Sequence, residues 1–514
     1  MAQGPHNLPG QPPTTDSGIA GAPVPAPATS PKRIVGNAVA MLASDVVNRG
    51  TTFVLYALVG RFLGDYAFGQ MSLALTLFYT FQIFAIAGLK TLITREVAKD
   101  RTKTDAYLIN GSIAVILTSV AAMFVAIVLV RVLDYSPDTG EVIVTVSLAL
   151  FPVALIAITE AIFLAWERMH FIAIVNGPVN VIKIIATFAF LSGGYGLPYL
   201  IGVLIASYAL ILVIEWLFIL RFITRPALRP DAPFMIRMLR QTTTFLGIDA
   251  IIAIATSFSI VLLSKVASER EVGLIGAATQ FLTPLQVIYQ NVVVSLFPLM
   301  CRKLEPGLRG LRAISENLIE ILVAFGLPAM LGIFILADRA LVFLYGQESF
   351  ADGTLVLRIF SVTVLFRAII HALGQTLIAG MRERDTLRIV LVGIVMNVVL
   401  SVVLISQFGM VGAAVAGLIL GVIDLALHLH FITRMFGATI SLVRAMWRAG
   451  LAGAVMTVYL LLVLPSARDY FIGVVLSAGA LYLVALAAIF FVSVGNLSQI
   501  RARYLEGITP AEQT

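Results

Sequence analysis

Apolar residues run along this chain in long blocks, separated by short stretches rich in basic, polar, glycine or proline residues. A block of roughly 20 apolar residues is long enough, as a helix, to cross the ~30 Å hydrocarbon core of a bilayer. Blocks of that kind fall at 35–60, 69–91, 107–131, 142–165, 172–192, 198–220, 242–264, 272–298, 314–337, 355–379, 387–406, 410–432, 446–465 and 470–494. The pattern predicts an all-α polytopic membrane protein of about fourteen transmembrane helices. An even number of crossings returns both termini to one side. Pro152, Pro178, Pro284 and Pro328 fall inside spans, where each removes a backbone hydrogen bond and kinks its helix.

Composition narrows the class. Of 514 residues, 59% are hydrophobic and 12% charged, against about 45–50% and about a quarter in soluble globular chains. An ordinary soluble enzyme and a wholly disordered protein are excluded. Cys301 is the single cysteine, so no internal disulfide forms. The net charge of +7 depends for its meaning on where the charges lie. With the N-terminus taken as cytoplasmic, 25 of the 35 Lys and Arg residues fall in cytoplasmic segments and six in external ones. Such a bias sets membrane orientation. The basic residues are spread over many short loops rather than gathered in a patch, so nucleic acid is not a partner. Trp166, Trp216 and Trp447 fall near cytoplasmic helix ends, as interfacial aromatics do.

The Pro/Ala/Gly-rich start reads as a disordered cytoplasmic tail, without the basic start and apolar core of a signal peptide. The domain reading is a tail over 1–33, an N-lobe of six spans over 34–225, a C-lobe of six over 226–436, spans thirteen and fourteen over 437–497, and a tail over 498–514.

The two lobes repeat each other. A shift of 204 residues places Asp45 on Asp249, Thr52 on Thr256, Arg61 on Lys265, Gly69 on Gly273 and Gln82 on Gln286. A second stretch, GYGLPYLIGVLIASYALIL from Gly194, resembles QFGMVGAAVAGLILGVIDLAL from Gln407. Six spans per repeat give parallel repeats related by an axis along the membrane normal, with a central cavity between them.

RFLGDYAFGQMSLAL at 61–75 resembles the R-x-L-G-x-x-x-F/Y-G segment of oligosaccharide flippases. LYGQESFADGTLVLRIFS at 344–361 resembles their YG-x-x-F/Y…A…L-R-I segment, and FGMVGAAVAG at 408–417 their span-twelve start. That family belongs to the multidrug/oligosaccharidyl-lipid/polysaccharide exporter superfamily, and the similarity covers about 35–495. The resemblance implies alternating access around a central cavity. It implies movement of a polyprenyl-pyrophosphate-linked oligosaccharide from the cytoplasmic to the outer leaflet for cell-surface polysaccharide synthesis, with no enzyme activity. It also implies coupling to Na⁺ or H⁺, no other cofactor, residence in a bacterial inner membrane among its lipids, and contact with polysaccharide polymerase machinery.

Charges within spans are the candidate chemistry, because each costs roughly 2.5–3.5 kcal/mol at the bilayer centre and normally faces a cavity or a partner. Arg49, Lys183 and Arg367 lie near mid-depth and suit a pyrophosphate, Arg through its fork and Lys as a point charge. Asn48, Gln82, Gln286 and Gln375 supply hydrogen bonds for sugar hydroxyls. Asp45, Glu215, Asp249 and Asp424 form a tier nearer the cytoplasm and, with Asn397, are candidates for ion coupling. Plainer readings stand beside these. Asp45 and Arg49 are one helical turn apart and able to neutralise each other. Glu215 has Lys183 on the preceding span as a potential partner, and His371 and His428 read as packing residues. Other functions remain open: a multidrug exporter of the same superfamily, a flippase for a peptidoglycan lipid precursor, and, in a different class, a membrane-embedded glycan transferase or ligase. The last lacks any long external loop, nucleophile motif or metal motif.

Overall fold

A computed structural model describes residues 31–302, 308–465 and 470–494, with side chains from Val46 onward except at 244, 245, 248 and 494. The tails read from composition lie outside the described residues, except that the first helix already begins at Pro31. All regular structure among the described residues is helical: α1 (Pro31–Ile86), α2 (Leu89–Lys99), α3 (Thr104–Val132), α4 (Pro137–Ser147), α5 (Leu150–Ala165), α6 (His170–Ser192) and α7 (Leu197–Phe222) in the first half. The second half holds α8 (Ala232–Val266), α9 (Glu269–Arg302), α10 (Leu308–Tyr345), α11 (Thr354–Ala379), α12 (Glu383–Phe436), α13 (Leu442–Val463) and α14 (Phe471–Val494). A membrane interior leaves backbone groups no partner but one another, and a helix satisfies them within one segment.

Twelve stretches among the described residues are long and apolar enough to cross a membrane. Two of them are hairpins. In α1 the chain reverses at Gly64, with φ 83° and ψ −174°, and in α12 at Gly409, with φ 53° and ψ −130°. Backbone of this kind is open to glycine at little steric cost. The Tyr56 and Phe68 rings are 5.2 Å apart, although twelve residues of straight helix would separate them by ~18 Å. A Cβ on Gly412 would collide with the carbonyl of Leu404, which fixes the second hairpin. With each hairpin counted as two, the described residues hold fourteen candidate crossings, the number that the apolar pattern predicts.

The boundaries differ from the pattern in three places. The second crossing ends at Ile86, and left-handed backbone at Ala87 and Gly88 turns the chain into the amphipathic α2. The fourth crossing is two helices, α4 and α5, and Pro152 sits in the first turn of α5 rather than kinking a continuous helix. The helices α8 and α10 extend beyond their apolar blocks at both ends, because they continue out past the hydrocarbon-length stretch. Side chains such as Phe124 and Val132 on α3, Leu462 on α13 and Leu476 and Val484 on α14 are exposed. A band of apolar residues facing outward is what lipid contact requires.

Helices α13 and α14 pack together and against α10. Arg448 Nη1 donates to Glu320 Oε1 at 2.5 Å, both side chains being 9% exposed. Tyr482 Oη donates to the carbonyl of Ala324 at 2.7 Å.

Candidate functional site between the two halves

At one end of the bundle the halves are sealed. The second arm of α1 packs along α9 with glycines at the contact: a Cβ on Gly69 would lie 1.8 Å from the carbonyl oxygen of Glu269, and one on Gly273 would lie 2.1 Å from that of Asp65. These glycines are the pair that the 204-residue repeat superimposes, and so are positions 65 and 269. The contact is a pseudo-twofold one between the repeated segments. Beside it Tyr345 packs edge-on to Phe68 at 5.3 Å and donates to the Ala277 carbonyl at 2.9 Å. Phe350 stacks on Tyr345 at 4.6 Å. Arg270 bridges the halves, donating to Asp65 at 2.8 Å and to Asp352 at 2.6 Å. The segments 61–75 and 344–361, distant in sequence, meet here: Gln347 Nε2 donates to the Arg61 carbonyl, and Tyr345 presses on Gly60.

Further along α1, its second arm faces α8 of the other half. The second arm of α1 and α8 enclose a cavity of about 460 Å³ lined by Thr76, Tyr79, Thr80 and Ile83 on one wall. Asp249, Ile252, Ala253, Thr256 and Ser257 form the other. Thr80 and Ser257 share a hydrogen bond of 2.5 Å across it. Asp249 is exposed and faces this cavity, a carboxylate opposite a wall of hydroxyls.

The remaining candidate residues fall in different settings. Asn397 Nδ2 donates to the Ala255 carbonyl of α8 at 2.7 Å, with Ser259 and Ser401 sharing a 2.7 Å hydrogen bond beside it. Asp424 pairs with His428 one turn along α12, Nδ1 to Oδ1 at 3.0 Å. Asn397 and Asp424 thus each have a separate partner. Glu215 is fully buried and hydrogen-bonded to Thr159 of α5. It does not engage Lys183, which is buried on α6 and donates to Asn180 Oδ1 at 2.7 Å. Arg49 and Asn48 are exposed on the first arm of α1, and Arg367 is exposed on α11. Gln82, Gln286 and Gln375 are half-buried. The side chain of Asp45 lies outside the described residues.

Three functional-looking groups escape the sequence reading. Lys90 at the start of α2 pairs with Glu160 of α5 at 2.5 Å, and Glu160 was visible as an acid inside an apolar block. The Arg448–Glu320 pair joins residues 128 positions apart, each near the start of its apolar block. The Arg270 bridge joins three segments that no local pattern brings together.

Residues 34–303 match a family model described as polysaccharide biosynthesis protein. A probable low-salt glycan biosynthesis flippase, Agl15 of Haloferax volcanii, is 28% identical over 123 residues; the match covers 24% of this chain and 26% of that protein, so the chain spans about a quarter of the relative's length. Among solved structures, the lipid II flippase MurJ in an inward closed conformation superposes with a TM-score of 0.69 at 16% identity, covering 90% of this chain and 100% of MurJ. An inward-facing multidrug resistance MATE transporter of the MOP superfamily gives 0.55 at 12% identity, covering 75% and 94%. At such identities the two structures establish the shared fold.

Proposed function

We propose, because this chain belongs to the polysaccharide biosynthesis protein family, that it is a membrane flippase of the MOP superfamily for a polyprenyl-pyrophosphate-linked oligosaccharide. Its relatives by sequence and fold are flippases and transporters rather than enzymes. The observation that carries the reading is the polar cavity between the two halves, set beside their close glycine contact. A protein that alternates access needs such a hinge-like contact on one side and a polar space on the other.

The sealed end faces outward by the distribution of Lys and Arg, so both termini are cytoplasmic, and the membrane is a bacterial inner membrane. The cavity then collects a head group from the cytoplasmic side. Arg49 and Arg367, exposed on helices of opposite halves, provide cations for the pyrophosphate, and Lys183 joins them when it leaves Asn180. Asn48, Gln82, Gln286 and Gln375 serve sugar hydroxyls. A second, apolar cavity of about 520 Å³, bordered by Phe281, Phe325, Leu336, Leu460, Phe471 and Leu483, has the chemistry for the polyprenyl chain. Asp249 couples transport to an ion gradient: its carboxylate takes a proton, or holds Na⁺ together with the Thr and Ser oxygens around it. Asp45, Glu215 and Asp424 support the same coupling, while Asn397 holds α12 against α8, the helix that carries Asp249. Delivery of the flipped lipid to polymerase machinery completes the role.

Thermal stability of the detergent-purified chain tests this. The panel is a polyprenyl-pyrophosphate sugar, plain polyprenol, a peptidoglycan lipid precursor and a lipophilic cation, because only a ligand that prefers the folded state raises the melting temperature. Stabilisation by the pyrophosphate sugar alone, lost in Arg49→Gln or Arg367→Gln, is the expected result. Stabilisation by the cation alone would replace this reading with a drug exporter.

A further inference from the structure

A cluster of charged and hydroxyl groups lies in the first half, away from the cavity. Glu215 of α7 lies about two helical turns from the Phe222 end of its helix and is 0% exposed. Its Oε2 contacts Thr159 Oγ1, and its Oε1 has no hydrogen-bond partner among the described residues. Thr159 Oγ1 also lies 2.9 Å from the carbonyl oxygen of Ile156. A hydroxyl has one proton, and a carbonyl oxygen only accepts. Both contacts are satisfied together when Thr159 donates to Ile156 and Glu215 donates to Thr159. That arrangement needs a proton on Glu215.

The surrounding charges agree. Glu160, next to Thr159 in the chain, and Lys90 are the charged groups acting on Glu215, and they are paired with each other at 2.5 Å. With Glu215 neutral, the cluster has one positive and one negative charge; loss of the proton leaves it at −1 in a buried setting. Among the described residues, no further cation acts on Glu215 from the other elements packed on α7. Lys183 of α6 is held by Asn180, and His170 of α6 sits against Phe171. Tyr79 of α1 faces Tyr208. Asp138 of α4 accepts from Gln70 and Tyr66 at the far end of the bundle, where Glu141 also lies. Lys90 is 37% exposed and follows the left-handed break at Ala87 and Gly88.

We propose that Glu215, Thr159, Glu160 and Lys90 form a proton-binding site in the first half of the molecule, with Glu215 as the group that gains and loses the proton. Lys90 is the movable counter-charge: displaced from Glu160 toward Glu215, it takes up the charge left when the proton departs to water. This rests on the ion-coupled flippase reading for its use in transport, but the proton binding stands without it.

The test is a pH titration of the infrared band of protonated carboxyl groups in the full chain in detergent. The expected result is one carboxyl's intensity present at neutral pH in the parent and missing in Glu215→Gln, with Lys90→Met and Glu160→Gln displacing the midpoint in opposite directions. Identical bands in the parent and Glu215→Gln across the pH range would overturn it. Should Glu215→Gln not fold, Thr159→Val removes only the hydroxyl and must shift the band frequency; an unshifted band overturns the site equally. Lipid-dependent stability is read in parallel. A Glu215 band without a lipid response defeats the flippase reading alone, and a lipid response without the band defeats the proton site alone.

Discussion

Gly69 and Gly273 lie back to back where the two halves meet, and each takes the place of the other under the sequence repeat. A side chain at either position would strike backbone, 1.8 Å from the Glu269 oxygen or 2.1 Å from the Asp65 oxygen. Backbone cannot rotate away as a side-chain tip does, so the halves themselves must separate. Gly69→Leu is therefore expected to destabilise the sealed arrangement by about 1–3 kcal/mol, in the range of overpacked cores. Cysteines placed at Arg61 and Gln347 report it: their crosslinking, efficient in the parent, should fall several-fold. Unchanged crosslinking would show that the glycine contact does not hold the halves.

Arg270 is the polar part of the same seal, reaching Asp65 in the first half and Asp352 in the second. Its side chain is 47% exposed, which places it among surface pairs of about 0.2–1 kcal/mol. Arg270→Gln should shift the balance between sealed and open forms by a few-fold rather than abolish either. High salt should reproduce the effect in the parent and add little in the variant. The same crosslink, measured at low and high salt, checks both statements.

The crossings were legible because apolar length alone defines them; only the Gly64 and Gly409 reversals decide that two 54-residue stretches are hairpins. The three motif segments were also legible, but as strings. Their physical content is at the seal: Gly64 turns the chain, Gly69 admits α9, and Tyr345 and Phe350 close over Phe68. The candidate site was legible in part. Asp249 stood out as an acid in an apolar span, and it faces the cavity. Partners were not readable, since pairing between helices depends on rotation about each axis. Glu215 therefore meets Thr159 rather than Lys183, and Arg448 reaches Glu320 across 128 positions of sequence.

That Arg448–Glu320 pair fastens α13 to α10, with Arg448 also over the rings of Trp447 and Phe490 at 5.1 and 4.8 Å. Both charges are buried, so removing one takes away the counter-charge that this pair supplies. Arg448→Met alone is expected to cost about 3–5 kcal/mol, whereas Arg448→Met with Glu320→Leu should recover most of that loss. Thermal denaturation of the two variants in one detergent measures the difference. Equal destabilisation by the single and double changes would mean that packing around the arginine stem matters more than the pair.

Asp249 and Asn397 separate coupling from structure within the second half. Asp249 faces open space among hydroxyls, so Asp249→Asn removes a charge while breaking no described hydrogen bond. Its folded stability should stay within about 0.5 kcal/mol of the parent, as for substitutions away from packed features. If the carboxylate binds the coupling ion, the rise in melting temperature with Na⁺, or its dependence on pH, should disappear in Asp249→Asn. Asn397 instead donates to the Ala255 carbonyl and joins α12 to α8. Asn397→Ala should cost about 0.5–1.5 kcal/mol of stability, the net worth of one hydrogen bond, lower the melting temperature accordingly and leave the ion response in place. Loss of the ion response in Asn397→Ala, with Asp249→Asn unaffected, would move the coupling site from the cavity wall to the α8–α12 seam.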